Sequence, residues 1–486
     1  MDPIMIQGTG SECGKTTLVA GLCRLLANRG LRVAPFKSQN MSLNCYVTDD
    51  GEEIARSTVV QATGARERAI VHMNPILLKP KADDVSQLIV HGRPVRDVSA
   101  QEYFLSDRLQ ELKLRAIGES ISYLRDRFDV IIAEGAGSCA EPNLRKFDVV
   151  NMGLAEILGA RVYVVADIDK GGAFASLLGS VRVMELTAPG DISRIRGFLL
   201  NKFRGDRAVL QPAIEFIEAQ TGIPVAGVLP HLHGLTLEEE DRLKERFCDR
   251  PEVDIAIVYL PHIANAGDFD ALTVEEGVQV RYVKGQRDFG VPDAVIIPGT
   301  KNTIWDLDYL RRTGFEEVVR RESCRVPVFG VCGGYEMLGR TLFDPGAIES
   351  DLGTVSGMGL LDVDVHFHQE KRVTKGVYTP TPHNPFAAAG SVEGYEIHCG
   401  VVRRAGCQPL YVHPGGEDGA VHPDRPIFGT FIHDLFNNAS FTRTFINFLR
   451  SRKHLGPLVG PLPDRAARAD EMYDKLAATL EVHTSF

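Results

Sequence analysis

Long apolar runs, paired cysteines and clustered basic residues are all missing from this 486-residue sequence. No stretch approaches the ~20 apolar residues of a membrane span, which argues against a membrane protein. Lys and Arg number 54 against 64 Asp and Glu, for a net charge of -10, and no basic block interleaves with aromatics. A nucleic-acid groove has no electrostatic support, and small-molecule substrates are expected instead. The nine cysteines, at 13, 23, 45, 139, 248, 324, 332, 399 and 407, form no C-x-x-C pair. That excludes a disulfide framework and a zinc knuckle and points to a reducing compartment. The start, Met1 to Gly8, has no basic region and no long apolar region of a leader, so a cytoplasmic protein is expected. Nothing in the pattern speaks to oligomeric state.

What is present is ordinary globular material. Apolar residues make up 44% and charged residues 24%, which excludes disorder, collagen and coiled coil, while 47 glycines imply many tight loops. The length is about three times a ~150-residue domain, so two or three folding units are expected. Short Val/Ile/Leu runs alternate with glycine turns and amphipathic stretches, the rhythm of a parallel sheet covered by helices. Strands are predicted at Arg32–Phe36, Asp129–Glu134, Arg161–Ala166, Gly197–Asn201 and Pro224–Val228, and a helix at Thr16–Arg29 that Gly30 ends. After the charged run Leu235–Glu252 a second series begins: Asp254–Leu260, Val278–Val283, Ala294–Ile297, Val326–Val331 and Ile427–Ile432. The expected division is a first domain over 1–235, a linker over 236–252, a second domain over 253–450 and a tail over 451–486. The tail carries one helix near Asp464–Thr479, with Asp464 as its N-cap. Each domain is expected to be α/β, a mainly parallel sheet flanked by helices.

The first strand runs into Gly8-Thr9-Gly10-Ser11-Glu12-Cys13-Gly14-Lys15-Thr16-Thr17 and then a helix. Backbone amides at such a helix start wrap phosphate oxygens, Lys15 neutralises the terminal phosphates and the Thr16 hydroxyl reaches Mg²⁺. The strict pattern wants glycine where Thr9 stands. This spacing resembles the dethiobiotin-synthetase-like branch of P-loop enzymes, and it lacks the extra lysine of partition-type ATPases. The resemblance implies a nucleotide site of Thr9, Gly10, Gly14, Lys15, Thr16 and Thr17, with Lys37 reaching the γ-phosphate. Glu134, at a strand end, and Glu53 complete the metal site with Thr16.

The second half holds Val328-Phe329-Gly330-Val331-Cys332-Gly333-Gly334-Tyr335-Glu336. Strand, G-x-C-x-G and helix make a nucleophile elbow in its thiol form: small neighbours permit a strained backbone, and the helix favours thiolate. A base is supplied by His433 at the end of an apolar strand. Amides of Gly299 and Thr300, after the strand Ala294–Ile297, with that of Gly333, are placed to form an oxyanion hole. This set resembles the class I glutamine amidotransferases, with two departures. Leu435 stands where that family has Glu, leaving Asp434 or Glu396 as candidates for the third triad member. Glu336 stands where the family has Gln.

Together the halves describe an amide synthetase, one part activating a carboxylate with ATP and the other releasing ammonia from glutamine. Further stretches make the resemblance specific: Phe36 to Asn44 (FKSQNMSLN), Met73 to Pro80 (MNPILLKP), Glu134 to Ser138, Asp148 to Met152, Asp167 to Ala175, Pro298 to Thr303 and Gly394 to His398. They are similar to the cobyric acid synthase family in order. That resemblance implies glutamine-dependent amidation of the b, d, e and g carboxylates of adenosylcobyrinic acid a,c-diamide, with one ATP and one glutamine per amide. It also implies that Asn201 reads the adenine edge and that Asp148 and Asp167 lie on the corrinoid side. Cobyrinic acid a,c-diamide synthase, which shares both domains, is the alternative, and a regulatory P-loop ATPase with a degenerate second domain is a remote one.

Overall fold

The computed structural model describes residues 1–82, 84–232, 243–462 and 464–486. The chain divides into two compact units: Met1–Ser42, Glu53–Glu240 and Ala466–Phe486 form the first, and Leu43–Glu52 with Asp241–Arg465 the second. This division is discontinuous where the sequence suggested contiguous blocks. Ten residues of the expected first domain belong to the second unit, and most of the expected tail belongs to the first. Residues 236–242 of the expected linker lie outside the described residues.

Among the described residues the first unit has a six-stranded parallel sheet in the order Val225–Pro230, Ile195–Phe203, Arg161–Asp167, Ile4–Gly8, Val130–Glu134, Val33–Phe36. The sequence turns back on itself on either side of Ile4–Gly8, which opens a crevice at the carboxyl ends of the strands. Alternation along that strand serves two cores. Met5 faces one, with Phe36, Val164 and Leu200, while Ile4 and Ile6 face another with Leu18, Leu22 and Leu25 of the helix Lys15–Asn28.

That second face is finished by the C-terminal helix Arg465–His483, which Asp464 immediately precedes. Leu476 and Leu480 crowd Gly21, and Arg24, with no exposed surface, pairs with Asp470 and lies 5.3 Å over the Tyr473 ring. Ser485 donates its amide to Ala226 O. Residues Ala466–Phe486 of the tail are therefore a structural layer of the nucleotide unit.

In the second unit, parallel strands Val278–Val283, Val253–Val258, Ala294–Ile297, Val328–Val331 and Ile427–Thr430 end in an antiparallel edge, Ala420–Val421. The predicted parallel strands all appear, shifted by a residue or two at their ends. Two antiparallel elements do not follow from apolar runs: the meander Ile76–Ala82, Val85–Val90, Arg93–Ser99 and the long hairpin Val363–Pro380 with Val392–Arg404. Their strands expose polar faces, so the parallel-sheet signature of unbroken apolar residues is absent. No helix among the described residues is long and apolar enough to cross a membrane.

Candidate active sites

The phosphate loop leaves the central strand and enters its helix, so the free amides of the first turn, Lys15 to Thr17, gather at the carboxyl edge of the sheet. Gly14 adopts φ 94°, and a Cβ there would lie 2.3 Å from Asn201 Nδ2. Lys15 Nζ donates to Gly10 O at 2.8 Å and Gly137 O at 3.1 Å, which holds the ammonium inside the loop. Thr9 donates its amide to Val165 O at 3.0 Å and pairs with Ser138. Asn201 Nδ2 donates to Cys13 O at 2.9 Å and so braces the loop.

Glu134 is the meeting point of this site. Its Oε1 accepts from Thr16 Oγ1 at 3.0 Å and from Lys37 Nζ at 3.2 Å, and its Oε2 from Gln61 Nε2. Thr16 and Lys37, both expected from sequence, are thus brought together on the buried Glu134 carboxylate. A hydroxyl beside a carboxylate is a hard-oxygen pair that suits Mg²⁺. Among the described residues no cluster of three His, Cys, Asp or Glu forms a softer metal site. Glu53, also buried, accepts from Lys79 Nζ at 2.5 Å. Neither Gln61 nor Lys79 was among the residues singled out for this site. Lys79 lies in the motif Met73 to Pro80, but only folding places its ammonium on Glu53.

Asp148 and Asp167, the two residues expected on the corrinoid side, sit in different surroundings. Asp148 accepts amides from Val150 at 2.8 Å, Asn151 at 2.7 Å and Gly153 at 2.8 Å, so both its oxygens organise the start of the helix Met152–Leu158. Asp167, at a strand end, accepts from Lys202 Nζ at 2.8 Å. Burial alone would raise its pKa, but the hydrogen bond and charge of Lys202 outweigh it and hold the carboxyl below its ordinary value.

Cys332 stands at φ 50°, ψ -113°, between the strand Val328–Val331 and the helix Gly333–Leu338. Such backbone strain persists only where the surroundings impose it. Here they do: a Cβ on Gly334 would lie 2.1 Å from Ile297 O, and one on Gly330 2.7 Å from Gly334 O. His433 is fully enclosed and contacts the thiol. Burial works against its charged form, yet Asp268 and Cys332, as charges and as hydrogen-bond partners, outweigh it and push the pKa up to about 10.

The third member is Asp268, whose Oδ2 accepts from His433 Nδ1 at 2.7 Å. This corrects both candidates read from sequence. Asp434 offers its backbone amide to Asp268 at 3.0 Å and its carboxylate to Asn437, while Glu396 accepts from Arg372 Nε at 3.0 Å and His398 Nε2 at 3.1 Å. Asp268 lies in the 3-10 segment Ala266–Val274, with no sequence pattern to announce it.

The turn at Gly299 and Thr300, expected to form the oxyanion hole, is fixed by an antiparallel pairing with His262–Ala264. Ala264 donates its amide to Gly299 O and Lys301 donates to His262 O, both at 2.9 Å. Alternation in such a pair turns the intervening Thr300 N–H away from that segment. Asp306, with no exposed surface, takes the Thr300 hydroxyl and the His262 ring nitrogen, the latter at 2.8 Å. A Cβ on Gly333 would lie 3.2 Å from Thr300 N, and one on Gly299 3.2 Å from His433 Cε1. The Gly299, Thr300 and Gly333 backbones therefore surround the cysteine-histidine pair.

Glu336 is buried and its Oε2 accepts from Thr303 Oγ1 at 2.6 Å. Burial, then the nearby Glu349 charge, pushes its pKa up to about 8. Near pH 7 the carboxyl is mostly a neutral acid, able like an amide to donate as well as accept.

A P-loop nucleotide-binding unit and a class I glutamine amidotransferase unit on one chain define the class of protein. Residues 4–243 match the CobQ/CobB/MinD/ParA nucleotide binding domain, and residues 254–441 the CobB/CobQ-like glutamine amidotransferase domain. Cobyric acid synthase of Klebsiella pneumoniae is 44% identical over 99% of this chain and 96% of its own length. Probable cobyric acid synthase of Methanothermobacter thermautotrophicus is 43% identical over 98% of this chain and 96% of its own length, and cobyric acid synthase of Pelotomaculum thermopropionicum is 44% identical over 99% and 94%. The chain belongs to the cobyric acid synthase family.

Proposed function

We propose that this chain amidates the b, d, e and g carboxylates of adenosylcobyrinic acid a,c-diamide, using glutamine as nitrogen source and one ATP per amide. The observation that supports it is 44% identity to cobyric acid synthases over nearly the full length of both chains, spanning both sites. The same finding disfavours the a,c-diamide synthase alternative.

In the glutaminase unit, His433 takes the Cys332 thiol proton and the sulfur attacks the side-chain carbonyl carbon of glutamine. The tetrahedral oxyanion is met by the Thr300 and Gly333 amides, and His433 passes a proton to the leaving nitrogen. Ammonia departs and leaves a thioester. His433 then takes a proton from water, which attacks the thioester to give glutamate and restore the thiol. Asp268 keeps the imidazole in one tautomer and orientation.

In the nucleotide unit, a substrate carboxylate oxygen attacks the γ-phosphorus of ATP and ADP leaves, giving an acyl phosphate. Ammonia attacks the acyl carbon and phosphate leaves. Lys15 and Lys37 neutralise charge on the transferred group, the first-turn amides hold the phosphates and Asn201 reads adenine. Thr16 and Glu134, with Glu53, would hold Mg²⁺, which supplies Lewis-acid stabilisation of phosphate charge when bound.

The test is to incubate the purified protein with Mg-ATP, glutamine and the a,c-diamide and follow mass. Each conversion of OH to NH₂ lowers it by about one unit, and four successive losses are expected by the stoichiometry of four carboxylates. Amidation of cobyrinic acid instead, with the a,c-diamide left unchanged, would favour the sister activity.

A further inference from the structure

The glutaminase base is held in part from the first tenth of the chain. Leu43–Glu52 belongs to the second unit, where Asn44 Oδ1 accepts the Ala266 amide at 2.9 Å and Asn265 Oδ1 accepts the Cys45 amide at 2.8 Å. These reciprocal bonds clamp the turn at Asn265, which adopts a left-handed φ of 54°. The turn opens the segment carrying Asp268, whose amide donates to Asn265 O at 2.9 Å.

Cys45 makes a second connection. Its carbonyl accepts the Tyr395 hydroxyl at 2.8 Å, and the Tyr395 ring stacks on His433 with centroids 5.4 Å apart. The His433 amide also donates to Tyr395 O at 2.8 Å. Asp268 on one side of the imidazole and Tyr395 on another are thus both tied to the dipeptide Asn44-Cys45. Farther along the segment, Asp49 accepts from Lys375 Nζ at 2.6 Å, which anchors it to the same unit.

We propose that Asn44 is a positioning residue for glutamine hydrolysis: it fixes the turn that presents Asp268, and through Asp268 the orientation of His433. The proposal rests on the reading of Cys332 and His433 as the catalytic pair. A catalytic group displaced by about 1 Å costs on the order of 10²-fold in rate, so a clamp two bonds away from the base is kinetically visible.

The experiment measures glutamate release by the full-length chain. Asn44→Ala is expected to lower kcat by roughly 10- to 100-fold with KM for glutamine within about two-fold, because orientation is lost and substrate contacts are not. Asn44→Asp, which keeps an oxygen for the Ala266 amide, should recover most of the rate. Wild-type kcat in Asn44→Ala overturns the proposal, and so does a loss in folded protein that Asn44→Asp fails to recover. Should Asn44→Ala not fold, Asn265→Ala opens the clamp from the other side, and an undiminished kcat there overturns the proposal equally. Glutamate release by Cys332→Ser would instead overturn the parent reading, leaving the two failures distinguishable.

Discussion

Asp268 and His433, separated by 165 positions in sequence, share a 2.7 Å hydrogen bond in a fully buried setting. The resemblance to class I amidotransferases leads one to expect a Glu two residues after the histidine, where this chain has Leu435. Here the carboxylate on the imidazole comes from the segment Ala266–Val274 instead, and triads are defined by such geometry rather than by chain position.

Asp268→Asn should therefore act through the His433 proton. With the charge removed, burial is opposed by Cys332 alone and the His433 pKa falls from about 10, so the alkaline limb of glutamine kcat/KM moves to lower pH. A drop in kcat of roughly 10²- to 10⁴-fold is expected. The sign for stability follows: a histidine pKa raised on folding stabilises fully below its unfolded value of about 6.5 and loses that contribution as pH rises through the folded value. Melting curves should show the variant less stable than wild type at pH 6, with the gap closing towards pH 10. A pH–rate profile that does not move would remove Asp268 from the triad.

Glu336→Gln tests whether a neutral acid stands in for the family's amide. The folded pKa of about 8 exceeds the unfolded carboxylate value, so wild-type stability declines as pH rises between about 4.3 and 8. The variant has no such proton to lose. Its melting temperature should gain on wild type across that window and hold its lead above it. Glutamine KM should match wild type at pH 6.5 and fall below it at pH 9, read by steady-state kinetics at both values.

Glu134→Gln separates the two chemistries. The ion pair of Glu134 with buried Lys37, at 3.2 Å, is lost, so a destabilisation of about 3 kcal/mol is expected on the scale of broken buried pairs. Synthesis from ammonium salt should fall by at least about two orders of magnitude. Glutamine hydrolysis should persist in the same sample. Normal synthesis would take Glu134 out of the site.

Leu480→Ala probes the C-terminal layer. Leu480 is fully buried against the helix Lys15–Asn28 and the sheet, and its loss should cost about 2–5 kcal/mol. Urea unfolding should show the early loss of ATP-dependent synthesis at denaturant concentrations where glutamine hydrolysis continues. Coincident loss of both activities would show that the layer supports more than the nucleotide unit.

The phosphate loop, the cysteine elbow and the parallel strands were legible because each is made of contiguous residues. A Gly-Lys-Thr-Thr between strand and helix, or a cysteine flanked by small residues, encodes its backbone geometry within ten positions. Unbroken apolar runs likewise mark strands buried on both faces, whereas the antiparallel hairpins, polar on one side, left no such trace. The identity of the groups around each catalytic atom was another matter. Gln61 beside Glu134, Lys79 beside Glu53 and Asp268 beside His433 come from elements whose order in space no local period encodes. The same holds for Leu43–Glu52 and Ala466–Phe486, which join units remote from their sequence neighbours. Their places follow from complementary buried surfaces and paired polar atoms. Those surfaces exist only once the chain has folded: residue identity sets the chemistry available, and packing selects which groups share it.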